Sequence, residues 1–370
     1  MRIGIDLHGL GDLMQGSRTY IVNAAKALLA LDAENEYFLY LPHPDAAEAR
    51  EAFGAPNAVL RPIPPGRFAR LVYPFARTLK KDGLDAVLFQ YAAPIACPVP
   101  YVTAIHDIIH ETNPEFFPGR LRRLMSLYYP ASARGAAHVV TISDYSRRMI
   151  MERYRIPAER ISYAHCGVSE EFAPPGEARD LSPILRKYGL SRPYVLFVGR
   201  IEPRKNLSGL IKAFERLVKE GGVPHKLAVA GMRDGLFSAH FSAMTAAARE
   251  RVVFTGRVEQ EDLPLVYAGA DLLAYPSFAE GFGLPIIEAM ACGTPVVCSD
   301  TSSMPEAGGE AALYADPADP AAIAAAMGRV LRDGNLARSM REKGLRHARA
   351  FRWEHTARML SRTFREIAGR

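Results

Sequence analysis

Two rounds of alternating strand and helix run along this chain, and that rhythm restricts its fold more than any other feature. In the first round "RIGIDL", "EYFLYLP", "DAVLFQY" and "YVTAIHD" read as short apolar strands. Between the first two, "TYIVNAAKALLALD" spaces its apolar residues at about 3.6 and reads as a helix. After "PPGEARD" the rhythm restarts with "PYVLFVGR", the helix "LSGLIKAFERLVKEG", "HKLAVAG", "RVVFTGR", the helix "EDLPLVYAGA", "DLLAYPS", the helix "IIEAMACG", "PVVCSD" and "AALYAD". Strands alternating with helices build parallel sheets with helices on both faces. The expected fold class is therefore α/β, with two Rossmann-like doubly wound domains facing each other across a cleft that takes the ligand at the carboxyl ends of the strands. Pro174, Pro175 and Gly176 are the linker candidate. The expected domains are 1–175 and 176–352, with an amphipathic C-terminal helix over 353–370 packing back on the first.

Composition removes several alternatives. With 49% hydrophobic and 23% charged residues the chain is globular rather than disordered or fibrous. "MRIGIDLHG" has no basic segment followed by a long apolar run, and no window approaches the about 18 apolar residues of a membrane span, so a cytoplasmic location is expected. The four cysteines, Cys97, Cys166, Cys292 and Cys298, lack C-x-x-C spacing and read as reduced thiols rather than a metal site. In "HGLGDLMQGSRTY", Met14 stands where a dinucleotide fingerprint needs its third glycine, which disfavours an NAD site, and Gly16 before Ser17 reads as a turn and N-cap. No Asp-x-Asp at a strand end is placed to hold a divalent cation under a diphosphate, so neither metal nor cofactor is expected.

The chemistry concentrates in "FAEGFGLPIIEA", where Glu280 and Glu288 flank a glycine turn with seven residues between them. Pro285 suits the first turn of a helix, whose free N–H groups and positive dipole end make a seat for phosphate. Gly281 and Gly283 permit close backbone approach. Glu288, near the expected first turn, has an ordinary reading as dipole complementation. Glu280 lies on the loop itself, where a carboxylate repels phosphate but accepts hydrogen bonds from sugar hydroxyls. Arg200 and Lys205 follow the strand "YVLFV" and so stand at a strand's carboxyl end, as does His106 after "YVTAI".

"FAEGFGLPIIEAMACGTPVVCSD" resembles the paired-glutamate signature of the retaining GT-B glycosyltransferases of family 4, and "VGRIEPRKN" resembles that family's second donor motif. The likeness covers nearly the whole chain, including "AIHDI" and the tryptophan-bearing C-terminal helix. It implies a metal-independent hexosyltransferase, taking a nucleotide-sugar donor and a saccharide or polyprenyl-linked saccharide acceptor in glycoconjugate synthesis, with no nucleic-acid partner. By the resemblance Glu280 binds hydroxyls of the transferred sugar, Glu288 the ribose, and the Phe282-Gly283-Leu284 backbone the diphosphate. Arg200 and Lys205 neutralise the leaving diphosphate, while His106 contacts the donor sugar. Gly16 approaches donor phosphate or acceptor, Arg257 and Val258 hold the base through backbone atoms, and Arg204 is structural or solvated. "HETNPEFFPGRLRRL" and "TISDYSRR" resemble bacterial mannosyltransferase-like members, which points to GDP-mannose. A phosphorylase or sugar-phosphate synthase of the same fold, and a non-catalytic nucleotide-sugar-binding subunit, remain as alternatives.

Arg61, Arg67, Arg70, Arg77, Lys80 and Lys81 fall in a stretch without carboxylates, and Phe68, Leu71, Val72, Phe75 and Leu79 recur there at helical spacing. Two readings stand. One is an amphipathic helix with its apolar face on the sheet, interrupted by Pro74; the other is a basic face on anionic lipid, extended by Arg120, Arg122, Arg123 and Arg134.

Overall fold

The computed structural model describes residues 1–11, 16–63, 71, 73–176, 179–232 and 244–369; Met14, Arg67, Phe68, Arg70 and Val72 lie outside them. The chain divides into two compact units, Met1–Gly167 with Arg352–Arg370, and Val168–Phe351.

The first unit holds a seven-stranded parallel sheet. Its strands are β1 Arg2–Asp6, β2 Glu36–Leu41, β3 Ala58–Pro62, β4 Ala86–Gln90, β5 Tyr101–Ala104, β6 His138–Thr141 and β7 Ile161–Tyr163, in the order β3-β2-β1-β4-β5-β6-β7. Every residue of β4 is buried, which is why "AVLFQ" reads as a continuous apolar run rather than an alternation. The helix Gly16–Leu31 buries Tyr20, Ile21, Ala24, Ala25, Leu28 and Leu29, a stripe repeating at three and four residues. The C-terminal helix Trp353–Ala368 packs against it, with the Tyr20 and Trp353 ring centroids 6.1 Å apart.

The second unit holds a six-stranded parallel sheet in the order β10-β9-β8-β11-β12-β13. These strands are β8 Tyr194–Val198, β9 Lys226–Ala230, β10 Val252–Gly256, β11 Leu272–Tyr275, β12 Val296–Ser299 and β13 Ala312–Ala315. Phe197, Val229 and Leu272 from the sheet bury against Leu210, Phe214 and Leu217 of the helix Leu207–Glu220 and Met327 of the helix Pro320–Arg332. The direction of winding reverses between β8 and β11, and the loops leaving such a pair part to opposite sides of the sheet and open a ligand crevice. Both sheets are doubly wound, so the α/β class read from the sequence is the class observed.

Three strands, β3, β6 and β7, were not marked by the apolar pattern, being short or only partly buried. The helix Gly16–Leu31 starts at Gly16 itself, so Ser17 lies in its first turn and does not cap it. The basic stretch resolves differently from either simple reading. Arg61 belongs to β3, with its guanidinium 3.7 Å from Asp82 and over the Phe38 ring. A helix spans Tyr73–Lys81, with Pro74 in its first turn, where a missing N–H costs nothing. Phe75 and Leu79 turn inward, and Phe75 meets Tyr40 and Phe89 edge to face. The described apolar residues of this stretch therefore belong to the core.

Candidate active site

Two loops of the second unit meet at the reversal point. One leaves β8 through Gly199 and Arg200 to the short turn Pro203–Lys205; the other leaves β11 and carries Glu280. Asn206 fixes the first. It adopts a left-handed backbone (φ 56°), its side-chain oxygen accepts from the Gly209 N–H at 3.1 Å, and its amide donates to Pro317 O at 2.7 Å. Lys205, its neighbour, is thereby held at the start of the helix Leu207–Glu220. Behind the loop, Gly199 N–H donates to Ala230 O and Gly231 N–H to Gly256 O. A Cβ at Gly231 would overlap the Gly199 carbonyl oxygen, so only glycine lets these strand ends approach.

The second loop is clamped by hydroxyls from the last residue of β12 and the run that follows it. Ser299 Oγ donates to Ser277 O at 2.7 Å, Thr301 Oγ1 to Phe278 O at 3.0 Å, and Ser303 Oγ to Glu280 O at 2.8 Å, while Glu280 N–H donates to Ser302 Oγ at 3.1 Å. A loop so satisfied delivers its side chain to one place.

That side chain is a buried carboxylate between two cations. Glu280 Oε2 lies 2.8 Å from Arg204 Nη1, and Oε1 lies 2.5 Å from Lys205 Nζ and 2.9 Å from the Tyr275 hydroxyl, which donates to it. Lys205 Nζ also hydrogen-bonds the Tyr275 hydroxyl and sits over that ring, 4.7 Å from its centroid. Burial works against the charge on Glu280, but Arg204 and then Lys205 overcome it and hold the carboxyl down at about 2. Burial and Arg204 lower the Lys205 ammonium's hold on its proton while Glu280 opposes them. Arg200 joins through Glu202, which receives Arg200 Nε at 3.3 Å and Arg204 Nε at 3.0 Å. Lys205 and Glu280 are thus in direct contact, and Arg200, exposed, is linked to them by a carboxylate and a second arginine. Arg204, expected to be structural or solvated, is a principal partner of Glu280.

Beyond Glu280 the chain passes Phe282, packed 5.6 Å from the Phe351 ring centroid, to Gly283, whose φ of 108° makes it the residue from which the helix Leu284–Ala291 departs. In the first turn of that helix Pro285 carries no N–H and the Ile286 N–H donates to Gly283 O at 2.9 Å, while the Leu284 N–H precedes any intrahelical acceptor. Glu288 is the fifth residue of the helix, past the first turn, which sets aside dipole complementation as its reason. Its Oε2 accepts from the Tyr267 hydroxyl at 2.8 Å. Burial pushes this carboxyl up to about 7, against the Tyr267 hydrogen bond that lowers it. The two glutamates are therefore driven apart from one ordinary value, the pattern by which one site assigns different tasks to like groups. Arg257 is exposed and Val258 half-buried immediately after β10.

The remaining expected residues lie in the first unit. His106 follows β5 and is buried; its Nε2 contacts Gln90 Oε1 at 3.0 Å, and its ring meets Tyr20 and Tyr91 at centroid distances of 4.5 and 5.0 Å. Among the described residues its Nδ1 has no hydrogen-bond partner, and burial lowers the imidazole to about 3, keeping it neutral. Asp107 Oδ1 accepts from the Ile109 N–H at 3.1 Å, so it caps the following turn. Gly16 is exposed.

Sequence reasoning did not single out Glu202, Tyr275, Tyr267 or the serines. Their signals were present: "SDTSS" is a hydroxyl-rich run that begins at the last residue of β12, and Tyr275 is the last residue of β11, adjoining the glutamate loop.

The comparisons with known proteins bear on the family and the fold. A family model described as Glycosyltransferase Family 4 matches residues 14–172, and one described as Glycosyl transferases group 1 matches residues 185–347. Over 256 residues the chain is 40% identical to the O-antigen chain mannosyltransferase B of Escherichia coli, covering 69% of this chain and 67% of that protein. It is 30% identical over 264 residues to the serotype-specific mannosyltransferase WbdA of Escherichia coli, 70% of this chain but 32% of that longer protein. Among solved structures, Anabaena Alr3699/HepE in complex with UDP-glucose superposes with a TM-score of 0.76 at 20% identity, over 99% of this chain and 100% of that one, a likeness of fold. Matched in both halves by these models, and to a relative across most of its length, the chain belongs to the family 4 glycosyltransferases of GT-B fold.

Proposed function

We propose that this glycosyltransferase moves mannose from GDP-mannose to a saccharide or lipid-linked saccharide acceptor with retention of anomeric configuration and without a metal. The observation that carries the reaction type is the buried Lys205–Glu280–Arg204 cluster at the reversal point of the second sheet. The sugar and the setting, synthesis of an O-antigen-like polysaccharide, rest on the 40% identity to the O-antigen chain mannosyltransferase B.

In this reading the diphosphate lies against the Phe282-Gly283-Leu284 backbone, and Arg200 and Lys205 face it. Rupture of the glycosidic bond moves negative charge onto the leaving phosphate, so cations fixed beforehand stabilise the transition state more than the ground state. They supply the charge that a metal supplies elsewhere. Glu280, ionised and held by two cations and a tyrosine, is a weak base and nucleophile; it serves as an acceptor for sugar hydroxyls. Because Glu280 is engaged by Arg204, Lys205 and Tyr275, in this reading the acceptor hydroxyl approaches on the face the phosphate leaves, and its proton passes to a leaving-phosphate oxygen. Glu288 receives ribose hydroxyls, Arg257 and Val258 offer backbone atoms to the base, Gly16 approaches phosphate or acceptor, and neutral His106 offers its imidazole to a sugar hydroxyl.

The test is incubation with GDP-mannose, UDP-glucose and other nucleotide sugars plus mannosylated acceptors. The expected result is GDP release independent of inorganic phosphate and of chelators, with a product of unchanged anomeric configuration by NMR. Turnover that requires inorganic phosphate would favour a phosphorylase instead. Binding without turnover on any acceptor would favour a non-catalytic subunit.

A further inference from the structure

The helix Gly119–Gly135 in the first unit turns apolar side chains outward. Its buried residues are Ser132 and Ala133, near its C-terminal end. At about 100° per residue, these together with half-buried Met125 and Tyr129 define the core-facing side, and Leu124 and Leu127 fall on the opposite side with Arg120 and Arg123. Leu127 is 66% exposed, Leu121 44% and Leu124 39%, where buried leucines of the same unit are at or near zero. Nor does the helix follow the usual remedy for an exposed surface, since its sequence GRLRRLMSLYYPASARG contains no carboxylate. Among the described residues no ion pair engages Arg120, Arg122 or Arg123. A second apolar element lies alongside. Ile95, 67% exposed, sits on a loop tied to this helix by the Ala93 N–H donating to Ser132 Oγ at 3.0 Å.

Arginines interleaved with leucines on one outward face match a surface that is anionic at its rim and apolar just beneath. Long arginine side chains reach phosphate while their stems and the leucines sink below it. A protein partner would more usually meet a contiguous apolar centre with charge kept to the edge. Among the described residues no helix is long and apolar enough to cross a membrane, so the contact would lie in the plane of the surface. We propose that the helix Gly119–Gly135 docks this protein on an anionic lipid bilayer, with Leu124 and Leu127 entering the headgroup boundary and Arg120 and Arg123 meeting lipid phosphates. The docking element is thus this helix, and not Tyr73–Lys81, whose apolar residues Phe75 and Leu79 face the core.

The experiment is co-sedimentation of the full chain with vesicles of phosphatidylglycerol and phosphatidylcholine, beside vesicles of phosphatidylcholine alone. The expected result is partitioning onto the anionic vesicles that weakens as salt rises. The double variant L124S/L127S is expected to lower the partition coefficient about tenfold or more, and R120Q/R123Q to lower it while flattening its salt dependence. R77Q/K80Q/K81Q should leave it within about twofold, because the described apolar residues beside those charges, Leu71, Phe75 and Leu79, are buried. Unchanged melting temperatures certify that the variants are folded. No sedimentation of the wild type at low salt, equal sedimentation of L124S/L127S, or loss confined to the 77/80/81 variant would each overturn the proposal. So would vesicle-free self-association abolished by L124S/L127S, which would make the face a protein interface.

Discussion

Replacing Glu288 by glutamine should make the protein more stable and a poorer binder at once, with the stability gain growing as pH rises. The carboxyl's value in the folded chain, about 7 against an ordinary 4.5, means that ionising it in place is unfavourable. A rise of this size corresponds to about 3 kcal/mol once the pH is well above the folded value, and the residual solvent contact of half-buried Glu288 reduces that to about 2. The sign follows from linkage. A group whose folded value is raised binds protons more strongly in the folded state, so its contribution is fully favourable below 4.5 and is lost as pH rises through about 7. Glutamine removes the ionisation and keeps an oxygen to accept from Tyr267. The melting temperature of E288Q should therefore match wild type near pH 5 and exceed it by about 4–8 °C near pH 8.5, taking about 2–4 °C per kcal/mol for a unit of this size. In the same scanning-fluorimetry plate, the rise in melting temperature on adding nucleoside diphosphate should shrink, since a neutral amide is a weaker acceptor for ribose hydroxyls. A pH-independent offset between E288Q and wild type would refute the assignment of a strained carboxylate. Undiminished nucleotide stabilisation would refute its role as a ligand acceptor.

Other perturbations probe the rest of the site. Lys205→Ala should lower turnover about 100-fold or more while the unit stays folded, because Arg204 still pairs Glu280; single-turnover kinetics with saturating donor read this directly. Ser303→Ala frees the Glu280 carbonyl from its hydroxyl donor and should cost about 1 kcal/mol, visible as faster amide exchange across residues 276–283 with little change elsewhere. Gly231→Ala, which forces a Cβ onto the Gly199 carbonyl oxygen, should lower the melting temperature and weaken nucleotide binding together; retention of both would contradict the close approach of β8 and β9 ends.

How far the sequence discloses this molecule differs between fold and site. Parallel strands buried on both faces leave unbroken apolar runs, so β1, β4, β8 and β11 are plain, whereas β3 and β7, partly exposed and at the sheet edges, leave no run to find. Glu280 is legible because a carboxylate in a glycine turn has no local structural reason to be there. Arg204 was misread for the opposite reason: in "EPRKN" a guanidinium next to a lysine looks like a solvated turn, and only the return of the chain 76 residues later brings Glu280 to it. The tyrosines carry the same lesson. Tyr267 and Tyr275 are ordinary core residues by pattern, and each becomes the hydroxyl donor to one glutamate only when helix and strand are packed together. Glu288 seemed explained by a helix dipole until the helix proved to begin at Leu284, four residues earlier.

The most direct measurement is a crystal structure of the protein with GDP-mannose or a non-hydrolysable analogue bound. The account predicts the diphosphate on the amides at Gly283 and Leu284, Lys205 turned from Glu280 toward phosphate oxygen, and a sugar hydroxyl taking its place on Glu280. A diphosphate bound away from Gly283, with the Lys205–Glu280 pair undisturbed, would contradict it.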